Sequence, residues 1–388
     1  MTFVLFGATG DLAQRKIMPA LLALFARDAL GDGTRIVAFS RRPWSNAEYR
    51  EFIQPSLKSL ASEVVEQFLQ KVSYVQGTFD NTAGFLALKE KIGGDAALYH
   101  LAVQPEFYTE IVEQLGKAGL TGALMIEKPF GHDYASAQML ERTIEKYFPP
   151  EHLYRVDHYL GKEGLDALLL QRMRDTDFEK SLTQARVARV TARILESLGI
   201  EGRGEFYDAT GALMDVGQSH ALEMLATMLM ELPPEHSQIP AARAVALEAL
   251  GVDDAAPALR GQYKGYMGEE GVSMDSDAET YFMIGAVSSV PRWQGVPLLL
   301  EAGKALREKR SEIEISYKDG TSRVFDMEVP RTRDAYEVLI EAALAGDRSR
   351  FPGMREVLAS WVFAEAAARR LNETPLLLYG TGGDGPAT

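Results

Sequence analysis

Asp157-His158-Tyr159-Leu160-Gly161-Lys162-Glu163 gathers a carboxylate, an imidazole, a phenol and an ammonium into seven consecutive residues. Such a set can move a proton through Asp157 or His158, and it can cradle an anion through His158, Tyr159 and Lys162. The same run is also what a solvated polar turn looks like. A second candidate is His220 in Gln218-Ser219-His220, because an imidazole that titrates near neutrality suits general-base work. Its helical pattern is equally that of a core histidine: Leu213, Gly217, His220 and Met224 share one stripe. A third is Lys128 in Glu127-Lys128-Pro129-Phe130-Gly131, whose Lys128-Pro129 bond is a candidate cis peptide in a sharp turn.

These groups need elements to hold them. An apolar run at residues 3–6 ends in Gly7-Ala8-Thr9-Gly10-Asp11-Leu12-Ala13, and a helical pattern follows with Ile17, Leu21, Leu24 and Phe25 on one side. Strand, glycine turn and helix together suit a pyrophosphate at a helix N-terminus, although the spacing G-x-x-G-x-x-A also fits a plain strand-to-helix turn. The next strand, residues 35–39, runs into Ser40-Arg41-Arg42. Two arginines and no acid at that strand end suit a 2′-phosphate, hence NADP with NAD as the lesser cofactor. Further strands at 72–75, 97–102 and 123–126 alternate with helical patterns at 107–118 and 135–147. That alternation predicts a doubly wound parallel sheet of Rossmann type, with Lys128 delivered to its ligand-binding edge.

After Pro149-Pro150 the pattern changes, so residues 1–150 and 151–388 are expected to be separate domains. A strand at 188–195 precedes Glu196, and Phe206-Tyr207-Asp208 opens a helix with its body at 211–231. Alternating segments at 279–286, 296–301 and 311–317, with helices at 336–345 and 356–371, predict an α+β domain built on a mainly antiparallel sheet. The fold class expected is therefore α/β followed by a larger α+β domain.

Composition narrows the function. With 388 residues, 46% apolar and 25% charged, the chain is an ordinary globular protein of two domains. A net charge of −14 argues against nucleic acid or an anionic membrane as partner, both of which need a broad basic face. The lack of cysteine excludes disulfides, thiolate catalysis and Cys-based zinc sites. No metal-ligand spacing is evident, and no metal is expected. No apolar run is long enough to span a bilayer, and the opening strand leaves no room for a leader, so the cytoplasm is the expected location.

In this order GATGDLAQRK, EKPFG, RVDHYLGKE, ESLGIEGRGEFYDATGALMDVGQSH, LRGQYKGY and GVPLLLEAGKAL make the chain resemble the glucose-6-phosphate dehydrogenase family over nearly its whole length. The resemblance implies oxidation of glucose 6-phosphate at C1 to 6-phosphoglucono-lactone, with hydride passing to NADP, as in the pentose phosphate pathway. It assigns His220 as general base and Asp157 as the carboxylate pairing with it. His158, Tyr159 and Lys162 become the sugar-phosphate cradle, and Lys128 positions the sugar beside the nicotinamide. Glu196 and Asp215 would hold sugar hydroxyls, while Lys304 and Lys309 lie near the phosphate end. Gly7, Ala8, Thr9, Gly10, Asp11 and Leu12 form the cofactor turn. Arg41 contacts the adenosine phosphate, and Lys16 lies where cofactor and substrate meet.

The chain departs from that family at three places. It is short between Tyr317 and Asp334, where the family places more of the sheet that commonly builds a homo-oligomer, so assembly is put in question. Ser219 replaces the usual asparagine, and Met214 stands where a basic residue is frequent. A widened pocket would admit another hexose 6-phosphate. The nearest rival is a sugar dehydrogenase of Gfo/Idh/MocA type, but Asp215 to His220 carries one residue more than that group's D-x-G-x-H, and DHYLGKE is foreign to it. A non-catalytic sensor of NADP or sugar phosphate is the remaining alternative.

Overall fold

The computed structural model describes every residue except Asp32, Ser59, Pro330, Arg331 and Thr388. Two compact units emerge, residues 1–158 with 333–354, and residues 159–332 with 355–388.

The first unit is a six-stranded parallel sheet of strands β1 (Thr2–Phe6), β2 (Arg35–Ser40), β3 (Val72–Gln76), β4 (Ala97–Leu101), β5 (Ala123–Glu127) and β6 (Leu153–Val156), in the order β3-β2-β1-β4-β5-β6. β1 and β4 are buried at every position, as expected of central parallel strands covered on both faces. The strand order reverses between β1 and β4, so a ligand crevice is expected beyond their carboxyl ends. Helices at Met18–Ala26, Asn46–Ile53, Ser62–Gln70, Thr82–Ile92, Tyr108–Lys117 and Tyr134–Ile144 alternate with the strands. Helix Ala335–Leu344 returns to this unit from far along the chain and buries Tyr336, Leu339 and Ile340 in the same core as Leu21 and Leu24.

The unit boundary therefore differs from the division expected after residue 150. Leu153–Val156 pairs in register with β5, Leu124 opposite Leu153 through Glu127 opposite Val156, so it completes the first sheet and does not open the second. The Pro149-Pro150 pair belongs to the single turn, Pro150–His152, that leads into β6.

The second unit holds an eight-stranded, mostly antiparallel sheet of β7 (Val187–Leu195), β8 (Leu250–Val252), β9 (Leu259–Tyr263), β10 (Tyr281–Ser288), β11 (Leu298–Gly303), β12 (Arg310–Tyr317), β13 (Ser322–Asp326) and β14 (Leu376–Tyr379). Its order is β13-β12-β7-β11-β10-β9-β14 with β8 beside β10, and β7–β11 and β9–β14 are its parallel pairs. The sequence pattern did not reveal β8, β9 and β14. β8 has three half-buried residues, and β9 (Leu-Arg-Gly-Gln-Tyr) does not alternate. The single helix expected at 211–231 is broken: Gly204–Ala212 ends at a kink, Leu213–Ala221 winds as a π-helix, and Leu222–Leu229 continues as an α-helix.

Candidate active site

In the first unit the glycine turn sits at the carboxyl end of β1. Gly7 has φ +73°, and an added Cβ would lie 2.2 Å from the Ala102 carbonyl oxygen after β4, so only glycine lets the two chain segments approach this closely. The Gly10 amide closes the turn on the Gly7 carbonyl at 2.9 Å. Thr9 Oγ1 lies 3.2 Å from Ser40 Oγ at the end of β2. A cleft of about 700 Å³ opens here, lined by Gly7, Thr9, Gly10, Ser40, Arg41 and Gln104 among others. Its place at the strand-order reversal and its glycine floor fit a dinucleotide. The Tyr74 hydroxyl donates to the Ser40 and Arg42 carbonyls at 3.0 and 2.6 Å, which braces the 40–42 turn. Arg41 is exposed at the cleft, whereas the Arg42 guanidinium lies 4.8 Å from the centre of the Trp44 ring. Ala8 is buried and Leu12 half-buried. Asp11 is exposed and pairs on the surface with Arg15 at 2.8 Å. Lys16 pairs with Asp334, the residue capping helix Ala335–Leu344, at 3.0 Å.

Sheet register also explains how Lys128 and Asp157 come together. Glu127 and Val156 occupy the last rung of the β5–β6 pair, so the next residues, Lys128 and Asp157, leave adjacent strand ends side by side. Asp157 is 1% exposed, Lys128 and His158 are half-buried, and the Lys128-Pro129 bond is cis. Behind Lys128 lies a network with no trace in the sequence pattern. Glu127 Oε1 lies 2.7 Å from His100 Nε2, Glu127 Oε2 accepts from the Tyr336 hydroxyl at 3.1 Å, and the Glu127 carbonyl accepts from the Tyr108 hydroxyl at 2.7 Å. Burial, then the Glu127 charge, pushes both phenols far up, so they stay protonated donors. Nothing local in the sequence links residues 100, 108, 127 and 336, which meet only through the fold.

The second unit uses the same device. Leu195 of β7 is the register partner of Gly303 in β11 and of Arg310 in β12, so Glu196, Lys304 and Lys309 all flank one rung of the sheet. The Glu196 amide donates to the Gly303 carbonyl at 2.8 Å, and Lys304, 3% exposed, forms a short ion pair with Glu196. β13 ends nearby: the Met327 amide donates to the Ser311 carbonyl at 2.7 Å, and Glu328 follows. Lys162, also 3% exposed, forms a short ion pair with Glu328, whose other oxygen lies 2.8 Å from Lys309 Nζ. Burial alone would raise the Glu328 carboxyl, but hydrogen bonds from Lys162 and Lys309 overcome it and bring the group down to about 2. The Lys162 ammonium lies 3.6 Å from the centre of the Tyr159 ring, and that ring stacks on His220 with centroids 4.3 Å apart.

His220 and Asp215 ride on the π-helical segment Leu213–Ala221, both largely buried. In an α-helix, residues five apart point to different sides. With i→i+5 winding they are one turn apart and share a face, so the extra residue between Asp215 and His220 is absorbed by the wider helix. Gly217 permits the close packing, since a Cβ there would lie 2.7 Å from the Phe282 ring. The segment follows the kink at Gly211 (φ +64°), and Glu279 Oε1 accepts from the Leu213 amide, its first N–H, at 2.9 Å. Burial raises the Glu279 carboxyl to about 6. Tyr207 is wholly buried, and burial followed by the charges of Asp215 and Glu279 holds its phenol well above the usual range. Neither Glu279 nor Tyr207 could be picked from the sequence, since their importance lies in what they touch.

A Rossmann unit with a dinucleotide cleft, joined to a sheet unit that collects lysines, carboxylates and a histidine at one edge, defines a nicotinamide-dependent oxidoreductase. Comparison with known proteins narrows this. The profile described as "Glucose-6-phosphate dehydrogenase, NAD binding domain" matches residues 4–166, and that of the "Glucose-6-phosphate dehydrogenase, C-terminal domain" matches residues 169–332. The chain belongs to the glucose-6-phosphate dehydrogenase family. It is 31% identical to glucose-6-phosphate 1-dehydrogenase of Kluyveromyces lactis, over 98% of this chain and 89% of that protein. A solved structure of glucose-6-phosphate dehydrogenase in complex with its substrate glucose-6-phosphate matches with a TM-score of 0.91 and 29% identity. The match covers 99% of this chain and 95% of that one. Glucose-6-phosphate 1-dehydrogenase from Mycobacterium avium matches with a TM-score of 0.89 at 28% identity, over 99% and 94% of the two chains.

Proposed function

We propose that this protein oxidises glucose 6-phosphate at C1 to 6-phosphoglucono-1,5-lactone, with NADP as the preferred hydride acceptor. One observation carries the reading. The Tyr159 ring, from the anion-cradle motif, stacks on His220 and lies under the Lys162 ammonium, so one contact joins a base to a phosphate-binding cation. His220 takes the proton of the C1 hydroxyl as the C1 hydride departs, which leaves a C1 carbonyl. Bound NADP supplies the pyridine ring that accepts that hydride. Glu196 and Asp215 orient sugar hydroxyls, and Lys304 fixes Glu196. Lys162 and Lys309, with His158 and Tyr159, hold the phosphate far from the reacting carbon, so its binding energy orients that carbon. Lys128 sits at the strand end where sugar and nicotinamide would meet, and Asp157 keeps the role the family resemblance assigns it. Gly7 to Leu12, Lys16 and Arg41 hold the cofactor, and the paired arginines after β2 support NADP over NAD.

A spectrophotometric screen of several hexose 6-phosphates and free sugars, each with NADP and NAD, tests the assignment. Glucose 6-phosphate with NADP is expected to give the highest kcat/KM. Equal rates on unphosphorylated sugars would overturn it. His220→Ala should lower kcat by about 10²–10⁴-fold and leave substrate binding nearly intact, and a variant with normal turnover would reject the base. A cytoplasmic location belongs to the same proposal; among the described residues no helix is long and apolar enough to cross a membrane.

A further inference from the structure

The two lysines assigned to the substrate phosphate share a carboxylate. Glu328 binds Lys162 through one oxygen and Lys309, at 2.8 Å, through the other, so two ammonium groups converge on a single anion. Lys162 is 3% exposed, and an ammonium so buried requires a counter-charge. Glu328 is a fifth exposed and sits just past the end of β13, where its amide donates to Asp326 Oδ1 at 2.7 Å. Its backbone is thus tied down while its side chain remains at the surface of the site. Lys309, by contrast, is more than half exposed, so the pair opens toward solvent on that side.

We propose that Glu328 is an internal competitor for the substrate phosphate: its carboxylate occupies the anion position between Lys162 and Lys309, and any phosphate must displace it. This rests on the assignment of Lys162 and Lys309 to the phosphate subsite. The carboxylate is held at a high effective concentration by the chain, so a weakly bound anion loses to it. A phosphate carried by a correctly seated sugar has further contacts and prevails. Glu328 therefore sets the concentration at which phosphorylated ligands fill the site, and it keeps Lys162 charged and in place when no ligand is bound. The hydrogen bonds from Lys162 and Lys309 that hold the carboxyl low also keep it ionised on the two lysines, so it stays a competing anion.

Glu328→Gln keeps the shape and removes the charge. The KM for glucose 6-phosphate and the inhibition constant of inorganic phosphate should both fall, by the same factor of about ten, the scale of one charge-assisted contact. The gain should lie in KM, not kcat, and should be confined to phosphorylated sugars, whose phosphate alone competes with the carboxylate. Glu328→Asp, which keeps the charge but shortens the reach, should give an intermediate decrease. Calorimetric titration with inorganic phosphate reads the same change without turnover. A raised KM in Glu328→Gln, or unchanged phosphate affinity in both variants, would show a structural strut and overturn the proposal. Failure of the wild type to turn over any hexose 6-phosphate would instead sink the substrate assignment, while the phosphate titration would still decide the role of Glu328.

Discussion

Glu279 offers the sharpest test of how the site is built. Its carboxylate caps the π-helical segment by accepting from the Leu213 amide at 2.9 Å, next to Gly211, whose missing Cβ leaves room for it. Burial raises the group from its ordinary 4.5 to about 6, with the Leu213 amide and the Arg260 charge pulling the other way. A shift of that size corresponds to about 2 kcal/mol at about 1.4 kcal/mol per unit. Because the residue as a whole keeps partial exposure, about 1–2 kcal/mol is the better figure. The folded value is raised, so the contribution is fully present below about pH 4.5 and is lost as pH rises through 6. Glu279→Gln keeps an oxygen for the Leu213 amide and cannot ionise. Its Tm should match wild type near pH 4.5 and exceed it by a few degrees at about pH 8, at roughly 2–4 °C per kcal/mol. Differential scanning calorimetry of both proteins across that range is the assay. Parallel curves, or a Gln variant less stable at pH 8, would refute the account of Glu279 as a buried cap that is costly when ionised.

Two further outcomes follow from the first unit. Gly7→Ala forces a Cβ to 2.2 Å from the Ala102 carbonyl at a backbone φ of +73°. The φ alone costs about 1–3 kcal/mol, and NADPH binding followed by fluorescence should be lost, whereas wild-type affinity would reject the tight turn. Arg41→Ala should weaken NADP use about tenfold and barely change NAD use, and equal losses with both cofactors would remove Arg41 from the 2′-phosphate.

The sequence alone determined the local chemistry. Apolar runs at 3–6, 35–39, 97–102 and 123–126 became central parallel strands because burial on both faces demands continuous hydrophobicity. The glycine turn after β1 and the arginines after β2 were legible because each lies within a few residues of a strand end. So were the family motifs, which are contiguous runs of letters. The second unit was harder to read. Its strand β9 carries arginine, glycine and glutamine, and β14 pairs with it from the far end of the chain, so neither leaves a two-residue rhythm to detect.

Tertiary structure decided the rest, and register was its main instrument. Only the pairing of Leu195 with Gly303 and Arg310 brings Glu196, Lys304 and Lys309 to one edge, and only the pairing of Glu127 with Val156 sets Lys128 beside Asp157. A helical period read from sequence gave His220 a stripe with Leu213 and Gly217. The π winding instead turns it to share a face with Asp215, because a wider turn changes which residues align. Nothing in the sequence shows what the side chains of Glu127, Glu279 and Glu328 will touch, although Glu127 opens the EKPFG motif and Glu279 an alternating segment. Each matters through a few hydrogen bonds to residues distant along the chain, and such bonds exist only after the backbone has closed around them.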